Sequence, residues 1–122
     1  MVNDSKIKKG DLGENLVSQF LIKQGFIIKE KKYRRKLGEI DLIAEKNDIL
    51  AFVEVKLREN IYFDISEVVN LTKQQKIILA AKEYISYNNV SDKICRFDVA
   101  LVEQNKDDFK IKYIPNAFTE NF

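Results

Sequence analysis

The sequence predicts an α/β fold, a central mixed sheet of five strands flanked by helices. Two segments carry apolar residues at helical spacing, several short segments alternate apolar with polar residues, and turn residues separate them. The predicted order is helix, three strands, helix, two strands. With 122 residues and 45% apolar content, the chain is expected to form one domain over residues 1–122 with a closed core.

Two helices are expected, and both have end signals. The first covers Asp11–Gln24 and stops at Gly25, a residue suited to a left-handed cap. The second opens with a capping box at Thr72-Lys73-Gln74-Gln75 and runs to about Tyr87, before Asn88-Asn89. Its expected buried residues are Ile77, Ile78, Ala81, Tyr84 and Ile85.

The five strands alternate in polarity and are bounded by turn residues. Asn47-Asp48 is a two-residue turn signal that makes a hairpin of the second and third strands, and Asn105–Asp108 separates the last two. The strands are Phe26–Tyr33, the two halves of Gly38–Arg58, Ile94–Glu103 and Phe109–Ile114.

The hairpin brings acidic residues together. With Asn47-Asp48 at its tip, Asp41 faces Glu54 and Glu39 faces Lys56. Like charges placed directly opposite each other destabilise a sheet, but two carboxylates beside a lysine suit a divalent cation and a positioned water. The alternative is an ordinary hairpin with a polar face, in which Glu39 pairs with Lys56 and Asp41 is solvated.

Composition limits the chemistry. The chain has no histidine, which excludes Ser-His-Asp triads and histidine-ligated metals, and its one cysteine, Cys95, excludes thiolate metal sites and internal disulfides. Catalysis must therefore use carboxylates, lysines, hydroxyls and a hard cation, Mg²⁺ or Mn²⁺. Met1–Lys9 is polar and no apolar run is long enough for a membrane span, so we expect a cytoplasmic protein with no membrane partner.

A basic run precedes the hairpin. Six of the eight residues in Lys29–Lys36 are cationic, although the net charge is only +2. Such runs are often solvated surface, but beside a metal site a phosphate-binding role is favoured. Tyr33, within this run, would either stack on an exposed base or pack on the sheet edge.

Glu14 and Lys73 each lie at the edge of an apolar helix stripe, where both can reach a site on the sheet. For Glu14 the alternative is a capping box, Asp11-x-x-Glu14, in which the glutamate only satisfies a backbone donor. For Lys73 the alternative is ordinary solvation. Arg96 and Asp98 share a strand face, which favours a salt bridge over a role in the site.

Six parts of the sequence together carry a resemblance to a known family. They are Gly10-x-x-Gly13-Glu14, Gly38–Ala44, Phe52–Arg58, Lys73, Arg96–Val99 and Asn116–Phe118. In their order and spacing they resemble the YraN-type family of small bacterial proteins, which is similar to archaeal Holliday-junction resolvases and to the PD-(D/E)XK nucleases. The sequence departs from the family pattern at Ile40 (in place of proline), Asp64 (glycine) and Ile114 (histidine).

The resemblance implies a restriction-endonuclease-like fold and a metal-dependent endodeoxyribonuclease. Asp41, Glu54, Lys56 and Glu14 fall on the catalytic positions, and Asp41, Glu54 and the Val55 carbonyl would hold Mg²⁺ or Mn²⁺. Residues expected to bind nucleic acid are Lys31, Lys32, Arg34, Arg35, Lys36, Arg58 and Lys73.

The implied substrate is branched, Holliday-junction-like DNA, with DNA favoured over RNA, and symmetric cutting of two strands would call for a homodimer. One alternative is a nucleic-acid-binding module that keeps the fold without turnover. Another is a protein-interaction domain that uses the apolar residues around Ile61-Tyr62-Phe63.

Overall fold

A computed structural model describes residues 2–59 and 68–120, with side chains from residue 10 onward. Ile61-Tyr62-Phe63 and Asp64 lie outside these residues. No helix in this part of the chain is long and apolar enough to cross a membrane. The elements are α1 (Val2–Lys23), β1 (Ile27–Arg35), β2 (Gly38–Lys46), β3 (Ile49–Arg58), α2 (Leu71–Tyr87), β4 (Ile94–Asn105) and β5 (Asp108–Phe118).

The five strands form one mixed sheet in the order β1-β2-β3-β4-β5. Neighbouring strands are antiparallel except β3 and β4, which run parallel. Because parallel strands need a crossover connection, α2 lies between β3 and β4 in the chain. Pro115 lies in β5, an edge strand, where a missing backbone donor is tolerated. The predicted α/β class, element order and mixed sheet are confirmed.

The β2–β3 hairpin has the predicted register from its tip to Leu42. Lys46 pairs with Ile49 on either side of the two-residue turn, and Leu42 pairs with Val53. Asn47 has a φ of 53°, the left-handed conformation that asparagine accepts in such a turn.

The helix starts differ from the predicted ones. Helix α1 begins at Val2, so Asp11 and Glu14 lie in its interior and the capping-box alternative for Glu14 is wrong. Helix α2 begins at Leu71 with Asn70 as its N-cap, whose Oδ1 accepts the Lys73 N–H at 2.9 Å. The predicted capping box at Thr72 is therefore wrong, because asparagine is an equally good cap two residues earlier.

The sheet has a hydrophobic core on each face. Val17 and Leu21 of α1 pack on one face, and Ile77 and Tyr84 of α2 pack on the other. Of the residues expected to be buried on α2, only Ile85 is partly exposed.

The alternation of β2 is interrupted next to Asp41. The pattern predicts that Ile40 shares a face with Leu42, but Ile40 packs in the α2-side core with Ile43, while Leu42 packs on the α1 side. Tyr33, the β1 partner of Ile40, is 8% exposed and packs edge-on against Tyr84 at 5.3 Å. This burial contradicts base stacking by Tyr33.

Candidate active site

The candidate site lies where β2 and β3 separate. Their regular pairing ends at Leu42 and Val53. Beyond this point the Val55 N–H donates to Asp41 Oδ2 at 2.8 Å, so a side chain replaces the backbone acceptor that β2 would otherwise provide. Since the N–H and C=O of a strand residue point to the same side, the Val55 carbonyl is directed toward this gap as well.

The gap between the two strands opens into a cavity of about 190 Å³. Residues of α1, β2, β3 and the first turn of α2 line it. Six predicted site residues are among them, which brings together every residue assigned a catalytic or metal-binding role. The lining residues are Gly10, Gly13, Glu14, Glu39, Asp41, Glu54, Val55, Lys56, Leu57 and Lys73.

Glu54 and Asp41 form a carboxylate pair in this cavity. Glu54 is 8% exposed, and burial, followed by a hydrogen bond to Asp41 and the charge of that residue, raises its pKa to about 9. Lys73 Nζ lies 3.0 Å from Glu54 Oε2 and opposes the shift without cancelling it. At neutral pH and without a cation, the pair therefore holds a proton.

Glu14 and Lys56 face the same cavity with perturbed pKa values. Burial, and next the negative charge of Asp41, raise the pKa of Glu14 to about 7. Burial, and next the positive charges of Arg58 and Lys73, lower the pKa of Lys56. The interaction with Glu54 places Lys73 at the site, so simple solvation does not describe it.

The donor set fits a magnesium-like cation. Mg²⁺ takes one or two carboxylates and keeps several waters, and a water occupies roughly 30 Å³, so a cavity of about 190 Å³ has room for both. Across residues 10–59 and 68–120, no three acidic or cysteine side chains are grouped as a ready metal cage. Asp41, Glu54 and the Val55 carbonyl therefore match a hard cation that is only partly coordinated by protein.

A second, larger cavity of about 700 Å³ adjoins the first, with which it shares Glu39 and Lys73. It lies between the β1–β2 turn and the start of α2. Five cationic side chains and one carboxylate line it. The lining residues are Arg34, Arg35, Lys36, Leu37, Gly38, Glu39, Asn70, Thr72, Lys73, Lys76 and Ile77.

The predicted nucleic-acid-binding residues are divided among three places. Four of them, Arg34, Arg35, Lys36 and Lys73, line the second, larger cavity, which we call the basic cavity. Lys31 instead donates to Asn15 Oδ1 at 3.3 Å, and Lys32 is ion-paired with Asp11, so both cations contact α1. Arg58 is close enough to Lys56 to lower its pKa.

Sequence reasoning missed or misplaced two residues of these cavities. Glu39 was expected to face Lys56, but it is ion-paired with Arg34 at 3.2 Å, because β1 pairs with this part of β2. Lys76 was not predicted, although its position one helical turn after Lys73 was an available signal.

Asp98 forms the predicted salt bridge away from both cavities. It is fully buried, and Arg96 binds it with two nitrogens, each at 3.0 Å. The Tyr113 hydroxyl and the Asn116 N–H also donate to it, at 2.5 and 2.8 Å. Four donors fill the capacity of a carboxylate, so the network is structural.

The fold and this cavity define an α/β protein with a carboxylate pair and a lysine between diverging strands. A model of the uncharacterised protein family UPF0102 matches residues 13–102, and the chain belongs to that family. This confirms the YraN-type resemblance.

The chain is similar to UPF0102 proteins of several bacteria. The protein of Alkaliphilus metalliredigens is 46% identical over 110 residues, which cover 89% of this chain and 96% of the relative. The protein of Clostridioides difficile is 45% identical over 112 residues, which cover 91% and 96%. The protein of Dictyoglomus thermophilum is 44% identical over 112 residues, which cover 89% and 95%.

Proposed function

We propose that the protein is a metal-dependent nuclease that hydrolyses phosphodiester bonds of DNA. The observation that carries the proposal is the pair of carboxylates of Asp41 and Glu54, which share a cavity with Lys56 where β2 and β3 separate. Placing the partly buried Asp41 beside the buried Glu54 costs stability, which favours a functional reason for the pair. The adjoining basic cavity suits a phosphate chain.

Asp41, Glu54 and the Val55 carbonyl would hold Mg²⁺ or Mn²⁺. When bound, such a cation lowers the pKa of a water and neutralises charge on the phosphate. Lys73 keeps Glu54 oriented through its 3.0 Å contact. The hydrogen bond from Val55 fixes the Asp41 carboxylate against β3.

Lys56 would orient the attacking water or contact the phosphate. Burial and the charges of Arg58 and Lys73 lower the pKa of Lys56, whereas the charges of Glu54 and Asp41 oppose this shift, and we propose an electrostatic role rather than proton abstraction. Glu14, with a pKa near 7, would accept a hydrogen bond from water at the α1 side of the cavity or support a second cation.

The proposed substrate class is branched DNA of the Holliday-junction type, with DNA favoured over RNA, and it rests on the resemblance to junction resolvases. A homodimer is proposed for the same reason, because a junction presents two equivalent strands.

The alternative is a nucleic-acid-binding module without turnover. The Lys73–Glu54 contact favours it, because an ammonium already occupies the position of a competing cation. The two proposals differ in one measurable property, namely whether a divalent cation displaces this ammonium.

The deciding experiment is cleavage of a labelled panel that contains a four-way junction, a flap, a single strand, a plain duplex and a matched RNA. Each substrate is incubated with Mg²⁺, Mn²⁺ or EDTA. We expect metal-dependent cutting that is greatest on the junction and is absent with EDTA.

Lys56→Ala, purified in the same way, controls for contaminating nuclease. Lys110→Ala controls for the loss of one positive charge, because Lys110 is exposed on β5 and does not line the cavity. Cutting lost only in Lys56→Ala would establish the nuclease. Binding without cutting, equal in wild type and Lys56→Ala, would reject turnover and leave the binding module.

A further inference from the structure

We propose that the basic cavity between the β1–β2 turn and α2 binds one unpaired nucleotide of the substrate strand. This rests on the proposed nuclease function, and it makes nucleic acid with single-stranded character the substrate class. The turn residues are Lys36 and Leu37, between the paired Arg35 and Gly38.

A close backbone contact builds the cavity. A Cβ placed on Gly38 would lie 2.3 Å from the Lys76 carbonyl oxygen, a distance that no side chain can occupy. The start of β2 therefore rests directly on α2. This contact holds the cations of the turn opposite Lys73 and Lys76, although like charges alone would drive them apart.

The cations are arranged for an anionic ligand. The Arg35 guanidinium is held over the rings of Tyr33 and Tyr87, at 4.9 and 5.6 Å. Within residues 10–59 and 68–120, no ion pair involves Lys36 or Lys76. The lining carboxylate, Glu39, is paired with Arg34, so positive charge is left over for a phosphate.

An apolar side chain gives the cavity a place for a base. Leu37 is 52% exposed at the tip of the turn although it is a large hydrophobic residue, and Ile77 lines the opposite wall. A volume of about 700 Å³ falls in the range of pockets that enclose one small ligand, roughly 300–1,000 Å³. A single nucleotide is of the size that such a space accommodates.

The position of the cavity links it to the proposed chemistry. Glu39 and Lys73 line both cavities. A strand that places a nucleotide in the basic cavity therefore brings a neighbouring phosphodiester to the cavity that contains Asp41 and Glu54. The base must leave its stack to enter. This requirement favours flaps, ends and junction crossovers over uninterrupted duplex.

The test measures binding in EDTA, so it does not depend on cleavage. Fluorescence anisotropy would report the affinity of a labelled single strand of about eight nucleotides and of a blunt duplex of equal length. The proteins are wild type, Leu37→Ala, Lys76→Ala and the control Lys110→Ala. All three changed side chains are exposed, so folding is expected to be retained.

We expect Lys76→Ala to weaken single-strand binding about fivefold and to reduce the slope of log affinity against log salt by about 0.7. Leu37→Ala should weaken binding of the single strand and leave the duplex unchanged. Lys110→Ala should change neither, although it removes the same charge.

Two results would overturn the nucleotide site. One is an equal loss of single-strand affinity in Lys76→Ala and Lys110→Ala. The other is a Leu37→Ala variant that weakens binding of the single strand and of the duplex equally, or weakens neither. Failure of the nuclease proposal looks different, since selective single-strand binding would persist without cutting. Cutting with no single-strand preference would overturn only the nucleotide site.

Discussion

Asp41 and Asp98 each accept a backbone N–H where the regular pairing of two strands is interrupted. Val55 donates to Asp41 and Asn116 donates to Asp98, both at 2.8 Å. The β2–β3 pairing ends next to Asp41, and the β4–β5 register shifts at Asp98. In both places a carboxylate replaces a missing backbone acceptor.

The two carboxylates differ in what else surrounds them. Asp98 is fully buried, paired with Arg96 and hydrogen-bonded to Tyr113, and it does not line either of the two cavities described above. Asp41 instead meets a second acid, Glu54, and faces open space. A carboxylate that completes its hydrogen bonds stabilises the fold, whereas one placed beside another acid shares a proton that a bound cation would displace.

The largest expected effect on stability is at Asp98. Asp98→Ala should lower the free energy of unfolding by about 3–5 kcal/mol, because it leaves Arg96 partly buried without its partner. Urea denaturation followed by circular dichroism measures this. A loss below about 1 kcal/mol would mean that Asp98 contributes no more to the free energy of unfolding than Asp41 does.

Asp41→Asn should leave the stability of the protein nearly unchanged but remove its cleavage activity and Mn²⁺ binding. The amide oxygen still accepts the Val55 N–H, so the free energy of unfolding should change by less than about 1 kcal/mol. Removing the charge should reduce cleavage at least about 100-fold and abolish Mn²⁺ binding. Calorimetric titration with Mn²⁺ checks this directly, and retained binding would contradict the assignment of Asp41 as a ligand.

The pH dependence of stability should come from the Asp41 side of this comparison. Glu54 holds a proton up to a pKa of about 9, above its ordinary 4.5, so the folded state binds more protons between these values. Metal-free stability should therefore fall as pH rises from about 4.5 to 9, by up to about 1.4 kcal/mol per pH unit for one proton.

Glu14, with a pKa near 7, adds to this fall below that pH. Urea denaturation in EDTA at several pH values measures the slope. Glu54→Gln should flatten it and stabilise the protein at alkaline pH, whereas an unchanged slope in this variant would show that other groups titrate.

A smaller loss of stability than that of Asp98→Ala is expected at Tyr113. Tyr113→Phe removes one of the donors to Asp98 and should cost about 1.5 kcal/mol without changing Mn²⁺ binding. Thermal unfolding and the same Mn²⁺ titration check both parts. A change in Mn²⁺ affinity would show that the two aspartates communicate.

The sequence alone predicted the element order and the hairpin register, because Asn47-Asp48, the alternation of β3 and the end signals of the helices are local features. It also predicted that Asp41 and Glu54 come together, because a two-residue turn at Asn47-Asp48 allows a single register of the two strands. Helix starts were less predictable. Asn70 and Thr72 are both good caps, and local preference does not choose between them.

The tertiary structure decided how this acidic pair is used. Ile40 packs in the α2-side core, on the face opposite to the one that strand alternation predicts. This change of face occurs next to Asp41, where regular pairing with β3 ends. The contact of Gly38 with the Lys76 carbonyl oxygen creates the basic cavity from residues that are far apart in sequence. Hydrophobic patterning and turn chemistry act over a few residues, so they determined the hairpin. The gap and the two cavities depend on how helices pack on the sheet, and only the folded chain contains that information.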